Sequence, residues 1–158
     1  MGAEASEGGS GGTSADAERR EPSADRVLWD RLRALTTRVE SALERTLQRR
    51  FSFGLSEFTA IRALVEAPTG DLRMQDLTDI VGLNQSSVSR LVARLEQAGL
   101  AARRLCETDR RGVYTGVTPL GRQVFQAAAE IYEATLASTF DRIEHDADLG
   151  PLLLALRT

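Results

Sequence analysis

Residues 74–100 read MQDLTDIVGLNQSSVSRLVARLEQAGL, and their spacing decides the fold. Met74 to Val81 predicts a short helix with Leu77, Ile80 and Val81 inward, stopped at Gly82, where a positive φ is cheap. Asn84 starts a second helix, in which Val88, Leu91, Val92 and Leu95 line one side. Ser86, Ser87, Ser89, Arg90 and Arg94 largely line the other, and Gly99 ends the run. Two short helices joined by a three-residue turn that begins with Gly make a helix-turn-helix, whose second helix enters a DNA major groove. Counted from Met74, Gly82 is ninth, Val88 fifteenth and Leu91 eighteenth, where the motif needs its turn and packing residues; the small residue usual at the fifth position is here Thr78.

The polar side of the second helix carries the chemistry. The Gln85 amide and the Ser86, Ser87 and Ser89 hydroxyls reach base edges, while Arg90 and Arg94 reach guanine or phosphate. Six Arg against three acids (Glu96, Glu107, Asp109) make Asn84 to Arg111 locally basic. The bland alternative is a solvated helix face, the usual fate of helix Arg, with Arg94 a phosphate contact at most.

Downstream the periodicity shifts towards two. Leu100 to Leu105 and Val113 to Val117 predict two short strands around the tip CETDRRG, a hairpin with Asp109, Arg110, Arg111 and Gly112 at its end. An Arg there can enter a narrow minor groove, and Asp109, two residues before Arg111, can hold the guanidinium in one pose. As a mere hairpin salt bridge the pair would be worth little. Helix-turn-helix plus basic hairpin is a winged helix.

Long helices flank this unit. Apolar residues at Val27, Leu28, Leu32, Leu35, Val39, Leu43 and Leu47 predict one from Asp25 to Arg50, ended by Gly54, with seven Arg against three acids over 26–50. A second follows Ser56 as N-cap and buries Phe58, Ile61, Leu64 and Val65 until Pro68; residues 68–72 read as a turn. Pro119 opens a long helix to about Ile143, with Val124, Ala128, Ile131, Thr135, Leu136 and Phe140 as its stripe. A last helix, about Ala147 to Arg157, carries Leu149, Leu152, Leu153 and Leu156. These stripes exceed what one small lobe can cover, so Leu28, Leu32, Leu35, Ile131, Leu136, Phe140, Leu152, Leu153 and Leu156 are expected at a homodimer interface.

The expected organisation is an acidic Gly/Ser-rich tail over 1–24, disordered or processed, a dimerisation helix over 25–54, a winged helix-turn-helix over 55–118, and dimerisation helices over 119–158. The fold class is mostly α with a small β-hairpin wing.

The 74–100 stretch, the strand ending RR, the DRRG wing and the following VTPLGR together resemble the MarR family of transcriptional regulators over roughly residues 26–157. The resemblance implies an obligate homodimer with interlocking terminal helices, binding a pseudo-palindromic double-stranded DNA operator, usually as a repressor relieved by a small ligand. It puts Ser86, Ser87, Ser89 and Arg90 on the recognition helix and matches Asp109 and Arg111 to the wing's Asp-x-Arg. It also implies a pocket for a small aromatic or anionic effector beside Trp29, with Phe58 and Arg103 as further candidates, although buried aromatic packing is the blander role for Trp29. Arg90 and Arg103 align with arginines of urate- or phenolate-responsive relatives, but Thr59 stands where that subgroup has an acid, so that ligand class is not assigned.

Composition bounds the rest. The chain has 158 residues, 42% of them hydrophobic, enough for one core. All 20 basic residues are Arg, which suits bidentate contacts to phosphate and guanine, although a coding bias explains the absence of Lys equally well. The first 25 residues hold six acids and two Arg, so the net charge of −3 belongs to the tail and the body is near neutral. One Cys and one His exclude a disulfide framework within one chain and a structural zinc site. Without an apolar span or signal peptide, a cytoplasmic protein with no membrane partner is expected. Cys106 lacks an evident activator and reads as inert, His145 in EHDAD as a surface residue. No convergent catalytic set, metal site or cofactor motif is present, so a non-enzymatic DNA-binding regulator is expected. The alternative is a winged-helix protein-interaction module without specific DNA binding.

Overall fold

The Ser23 hydroxyl accepts the Arg26 N–H at 3.2 Å and caps α1, Ala24–Phe51. The computed structural model describes residues 21–105 and 113–157. The end of α1 differs from expectation. Ser52, not Gly54, adopts the left-handed conformation (φ 60°), and its N–H donates to the Gln48 carbonyl at 3.1 Å. Gly54 instead N-caps α2, Leu55–Glu66, a role expected of Ser56. A Cβ on Gly54 would collide with the Glu44 carboxylate, which accepts the Leu55 N–H at 2.6 Å. Acid from the preceding helix thus satisfies a free amide at the start of the next. Ala67 is extended (ψ 136°), as the residue before a proline must be, and α2 stops at Pro68.

A strand follows where a turn was expected through residue 72. β1, Asp71–Arg73, pairs antiparallel with β3, Val113–Val117, with Leu72 opposite Thr115. β2, Ala101–Leu105, pairs with the other edge of β3, so the sheet is three-stranded in the order β1-β3-β2 rather than a lone hairpin. Three residues are too few to display a period of two, which is why β1 escapes a sequence reading.

Between β1 and β2 lie α3, Met74–Val81, and α4, Gln85–Gln97, both within a residue of expectation. α5, Pro119–Glu144, starts with Pro at its first position, and the Thr118 hydroxyl accepts the Gly121 N–H at 2.9 Å. α6, Gly150–Leu156, begins later than expected. Asp146 Oδ1 accepts the Asp148 and Leu149 N–H groups, both at 3.0 Å, and so forms a turn in place of the first helical residues.

The main core joins α2, α3, α4 and the sheet to the C-terminal end of α1 and the N-terminal half of α5: Leu47, Ile61, Leu64, Leu77, Val88, Leu91, Val92 and Leu95 are all fully buried. Phe58 is also buried there, stacked on Tyr132 at 4.7 Å and Phe125 at 5.5 Å between ring centroids. Ile80, expected inward, is exposed, and Val65 only half-buried. A smaller cluster of Leu35, Ile143, Leu149 and Leu153 ties α1 to the α5–α6 corner. Leu35 and Leu153, expected between subunits, are therefore spent within the protomer. Leu32, Ile131, Leu136, Phe140 and Leu152 are half-buried. Leu28, Leu154 and Leu156 stay exposed, and Trp29 is 60% exposed rather than packed as an interior aromatic.

Candidate nucleic-acid interface

The turn between α3 and α4 sets the direction of the second helix. Gly82 caps α3 with φ 71°, and its N–H donates to the Thr78 carbonyl at 3.0 Å. The Asn84 side-chain oxygen then accepts both the Ser87 N–H at 2.9 Å and the Ser86 hydroxyl at 2.8 Å. One cap thus fixes the first turn of α4 and orients one of its hydroxyls.

Beyond the cap, burial divides α4 cleanly. Val88, Leu91, Val92 and Leu95 are buried, Gln85, Ser86 and Arg90 exposed, and Ser87 and Ser89 lie at the boundary. Arg90 leans back to donate to Ser87 Oγ at 3.3 Å. Its charge has no carboxylate partner among the described residues, so it is available to an anionic or acceptor-rich surface.

Arg94 is placed differently from Arg90. Its Nε donates to Glu57 Oε1 at 3.0 Å and its Nη2 to the same oxygen, while Glu57 Oε2 accepts the Gly54 N–H at 3.2 Å. Glu57 is the shielded partner, its side chain 13% exposed. The pair fastens the last turn of α4 to the N-terminus of α2, so Arg94 serves as a strut in the free protein.

Charge pairs also fix the sheet. Asp71 on β1 faces Arg104 on β2, Nε to Oδ1 3.5 Å, across the middle strand at Gly116. That distance is a charge contact without a hydrogen bond; Oδ1 is otherwise buried and unpartnered among the described residues. Arg73 donates to the Tyr114 hydroxyl at 2.8 Å, with its guanidinium carbon 5.4 Å from that ring's centroid. Arg103 pairs with Glu96 of α4, whose Oε1 also accepts the Arg103 N–H at 3.0 Å. The sequence alone does not reveal these roles of Glu57, Asp71, Arg73, Arg104 and Tyr114. Its one signal is an acid and an Arg alternating just before Met74.

The expected wing residues Asp109, Arg110 and Arg111, with Cys106, lie outside the described residues. The expected effector residues are not brought together. Phe58 is in the core, Trp29 is exposed near the start of α1, and Arg103 is held by Glu96 on the sheet. A cleft of about 560 Å³ instead lies between the end of α1, the start of α2 and α4, bordered by Gln48, Phe53, Glu57, Ser87, Arg90 and Arg94.

In the EHDAD stretch, His145 Nδ1 lies 2.8 Å from the Asp141 carbonyl. Arg38 donates to Asp146 Oδ2 at 2.6 Å. That bond, followed by the two backbone donors, lowers the Asp146 pKa from 3.8 to about 2. Among the described residues no group of His, Cys, Asp or Glu could hold a metal, and no helix is long and apolar enough to cross a membrane.

Comparison with known proteins gives this geometry a context. The family model described as MarR family matches residues 52–112, a range that includes α2, β1, α3, α4 and β2. Among solved structures, Sco3205 of Streptomyces coelicolor, a MarR family transcriptional regulator in complex with DNA, is 28% identical, covering 90% of this chain and 91% of its own, at a TM-score of 0.71. AbsC of the same organism, also a MarR family transcriptional regulator, is 26% identical over 87% of this chain and 93% of its own, at 0.71. BpsR of Bordetella bronchiseptica, whose DNA binding is regulated by 6-hydroxynicotinic acid, shares the fold at 23% identity and a TM-score of 0.64, over 82% of this chain and 96% of its own. A comparison with curated proteins returns no match.

Proposed function

We propose that the chain is a DNA-binding transcriptional regulator of the MarR type, acting in the cytoplasm as a homodimeric repressor of a pseudo-palindromic operator, a reading supported by the family-model match and the similarity to a DNA-bound regulator. The observation that carries this reading is the division of α4 into a buried apolar stripe and a capped polar face. Gln85, Ser86, Ser87, Ser89 and Arg90 read base edges in the major groove. Arg110 and Arg111 enter the flanking minor groove, oriented by Asp109. Arg94 holds α4 at its angle.

The two-fold partner places a second recognition helix about 34 Å away, one turn of B-form DNA. Residues 25–54 and 119–158 supply the dimer contacts, with Leu28, Trp29, Leu154 and Leu156 as the apolar surface left open by one protomer. An effector, a small aromatic or anionic molecule, enters the cleft beside Ser87, Arg90 and Arg94 and releases DNA by favouring a different spacing of the two helices.

Footprinting on the DNA upstream of the protein's own gene tests the reading. Protection of a two-fold sequence at low salt, weakening steeply as salt rises, is expected. Replacing Arg90 by Ala should lower operator affinity by roughly 5- to 150-fold and change base preference, if one bidentate contact is worth about 1–3 kcal/mol. Equal, weak binding to a random duplex and to heparin would instead favour a protein-interaction module. Titration with aromatic acids, read as operator release, tests the effector cleft; no release across a broad panel removes it.

A further inference from the structure

A second cleft, of about 470 Å³, runs between α1 and α5, and it shares no lining residue with the cleft beside the recognition helix. Ala42, Ile143 and the buried Thr139 form its floor. Arg45 and Arg49, one turn apart on α1, form one wall, and Arg142 with Ser138 on α5 the other. Arg38 closes one end, already neutralised by Asp146 at 2.6 Å. No acidic residue lines the cleft. Arg142 donates to Thr139 Oγ1 at 3.1 Å, and none of Arg45, Arg49 and Arg142 has a carboxylate partner among the described residues.

Three uncompensated guanidiniums facing one another across a concave surface repel, and an anion between them would relieve that repulsion. We propose that this cleft is a binding site for a small multivalent oxyanion, a phosphorylated or polycarboxylate metabolite, held by Arg45, Arg49 and Arg142 with hydroxyl donors from Ser138 and Thr139. Its size lies within the roughly 300–1,000 Å³ of small-molecule sites. Planar guanidinium forks match phosphate and carboxylate oxygens in pairs. A second protein copy is the poorer occupant, because Arg residues stand on both walls, whereas the core of a stable protein contact is depleted of charge. The apolar residues that do need covering, Leu28, Trp29 and Leu156, do not line this cleft. The site is inferred for binding alone and does not depend on the DNA-binding reading.

Calorimetric titration of the full chain with pyrophosphate and with citrate, at constant ionic strength, tests it. Saturable binding of at least one, below millimolar Kd, is expected, and which one binds separates a phosphorylated from a polycarboxylate ligand. The double variant Arg45→Gln, Arg49→Gln should weaken it tenfold or more, as should Arg142→Gln on the opposite wall. Arg33→Gln, on α1 but outside the cleft, should not, and without ligand no variant should melt below the parent, since removing a cleft guanidinium relieves repulsion. Absence of binding, equal binding by the cleft variants, or equal competition by chloride at matched ionic strength (an adventitious ion only) would overturn the proposal. So would a dimer structure with partner carboxylates seated in the cleft.

Discussion

A methyl group on Gly116 would run into Asp71 Oδ1 and stand 2.9 Å from Arg104 Nε, because the charge pair from β1 to β2 passes over the middle strand there. Gly82 presents the opposite case. Its added Cβ would meet nothing within 4 Å, and only its φ of 71° favours glycine. Gly116→Ala is therefore expected to cost about 1–3 kcal/mol, the range for overfilling a packed site. Gly82→Ala should cost about 1–2 kcal/mol, from the left-handed backbone alone. Urea unfolding of both variants measures the difference. The m-value should stay constant, since neither change alters the surface exposed on unfolding.

Asp146 makes a second prediction at this scale. Its folded pKa of about 2 lies below the unfolded value, so its contribution is present above about pH 4 and fades as pH falls towards 2. Protonation there loosens the tie from α1 to the α5–α6 corner. Carboxyl carbon shifts followed by NMR should show the midpoint near 2 in the parent, and Arg38→Ala should move it upward towards 3.8 because the largest stabilising bond is gone.

At the scale of elements, the attitude of α4 rests on three attachments: the Asn84 cap, the buried stripe and the Arg94–Glu57 strut. Asn84→Ala should cost about 1 kcal/mol of stability, as removal of an N-cap usually does. Glu57→Gln and Arg94→Ala should both lower operator affinity while leaving the slope of log K against log salt unchanged, because a strut releases no counterion. Arg111→Ala, which removes a cation proposed to enter the minor groove, should reduce that slope by about one. Binding isotherms at a series of salt concentrations separate the two roles; a reduced slope for Arg94→Ala would restore it as a DNA contact.

The same attachments show how much is readable in the sequence. Gly82 and Asn84 punctuate α3 and α4 unmistakably, since a left-handed cap and an Asx cap are local chemistry. The α1–α2 corner is not readable in this way, because the start of α2 depends on Glu44, eleven residues from the amide it caps. β1 is equally hidden, because three residues gain their identity only from pairing with β3, far along the chain. In sequence Arg94 looks like an outward charge and Arg103 like an effector candidate, and no spacing rule reveals that Glu57 and Glu96 hold them.

At the scale of the molecule, one protomer leaves Leu28 48%, Trp29 60% and Leu156 62% exposed, although they belong to helices whose other apolar residues are largely covered. A second copy is the expected cover. The double variant Trp29→Glu, Leu156→Glu should shift sedimentation equilibrium towards monomer while the winged lobe keeps its melting temperature, since the main core does not contain either residue. Operator affinity should fall by roughly a hundredfold or more, because two half-sites would no longer be bound in one event.

The corner between α1 and α2 has a last consequence. Glu44 grips Leu55 and Glu57 grips both Gly54 and Arg94, so α4 is bolted to the long helix rather than hung from it by slack chain. Such a joint behaves as a caliper with a set gap. Inserting one base pair midway through the operator rotates one arm of the palindrome by about 35° and advances it by about 3.4 Å, a phase error that stiff jaws have little play to absorb.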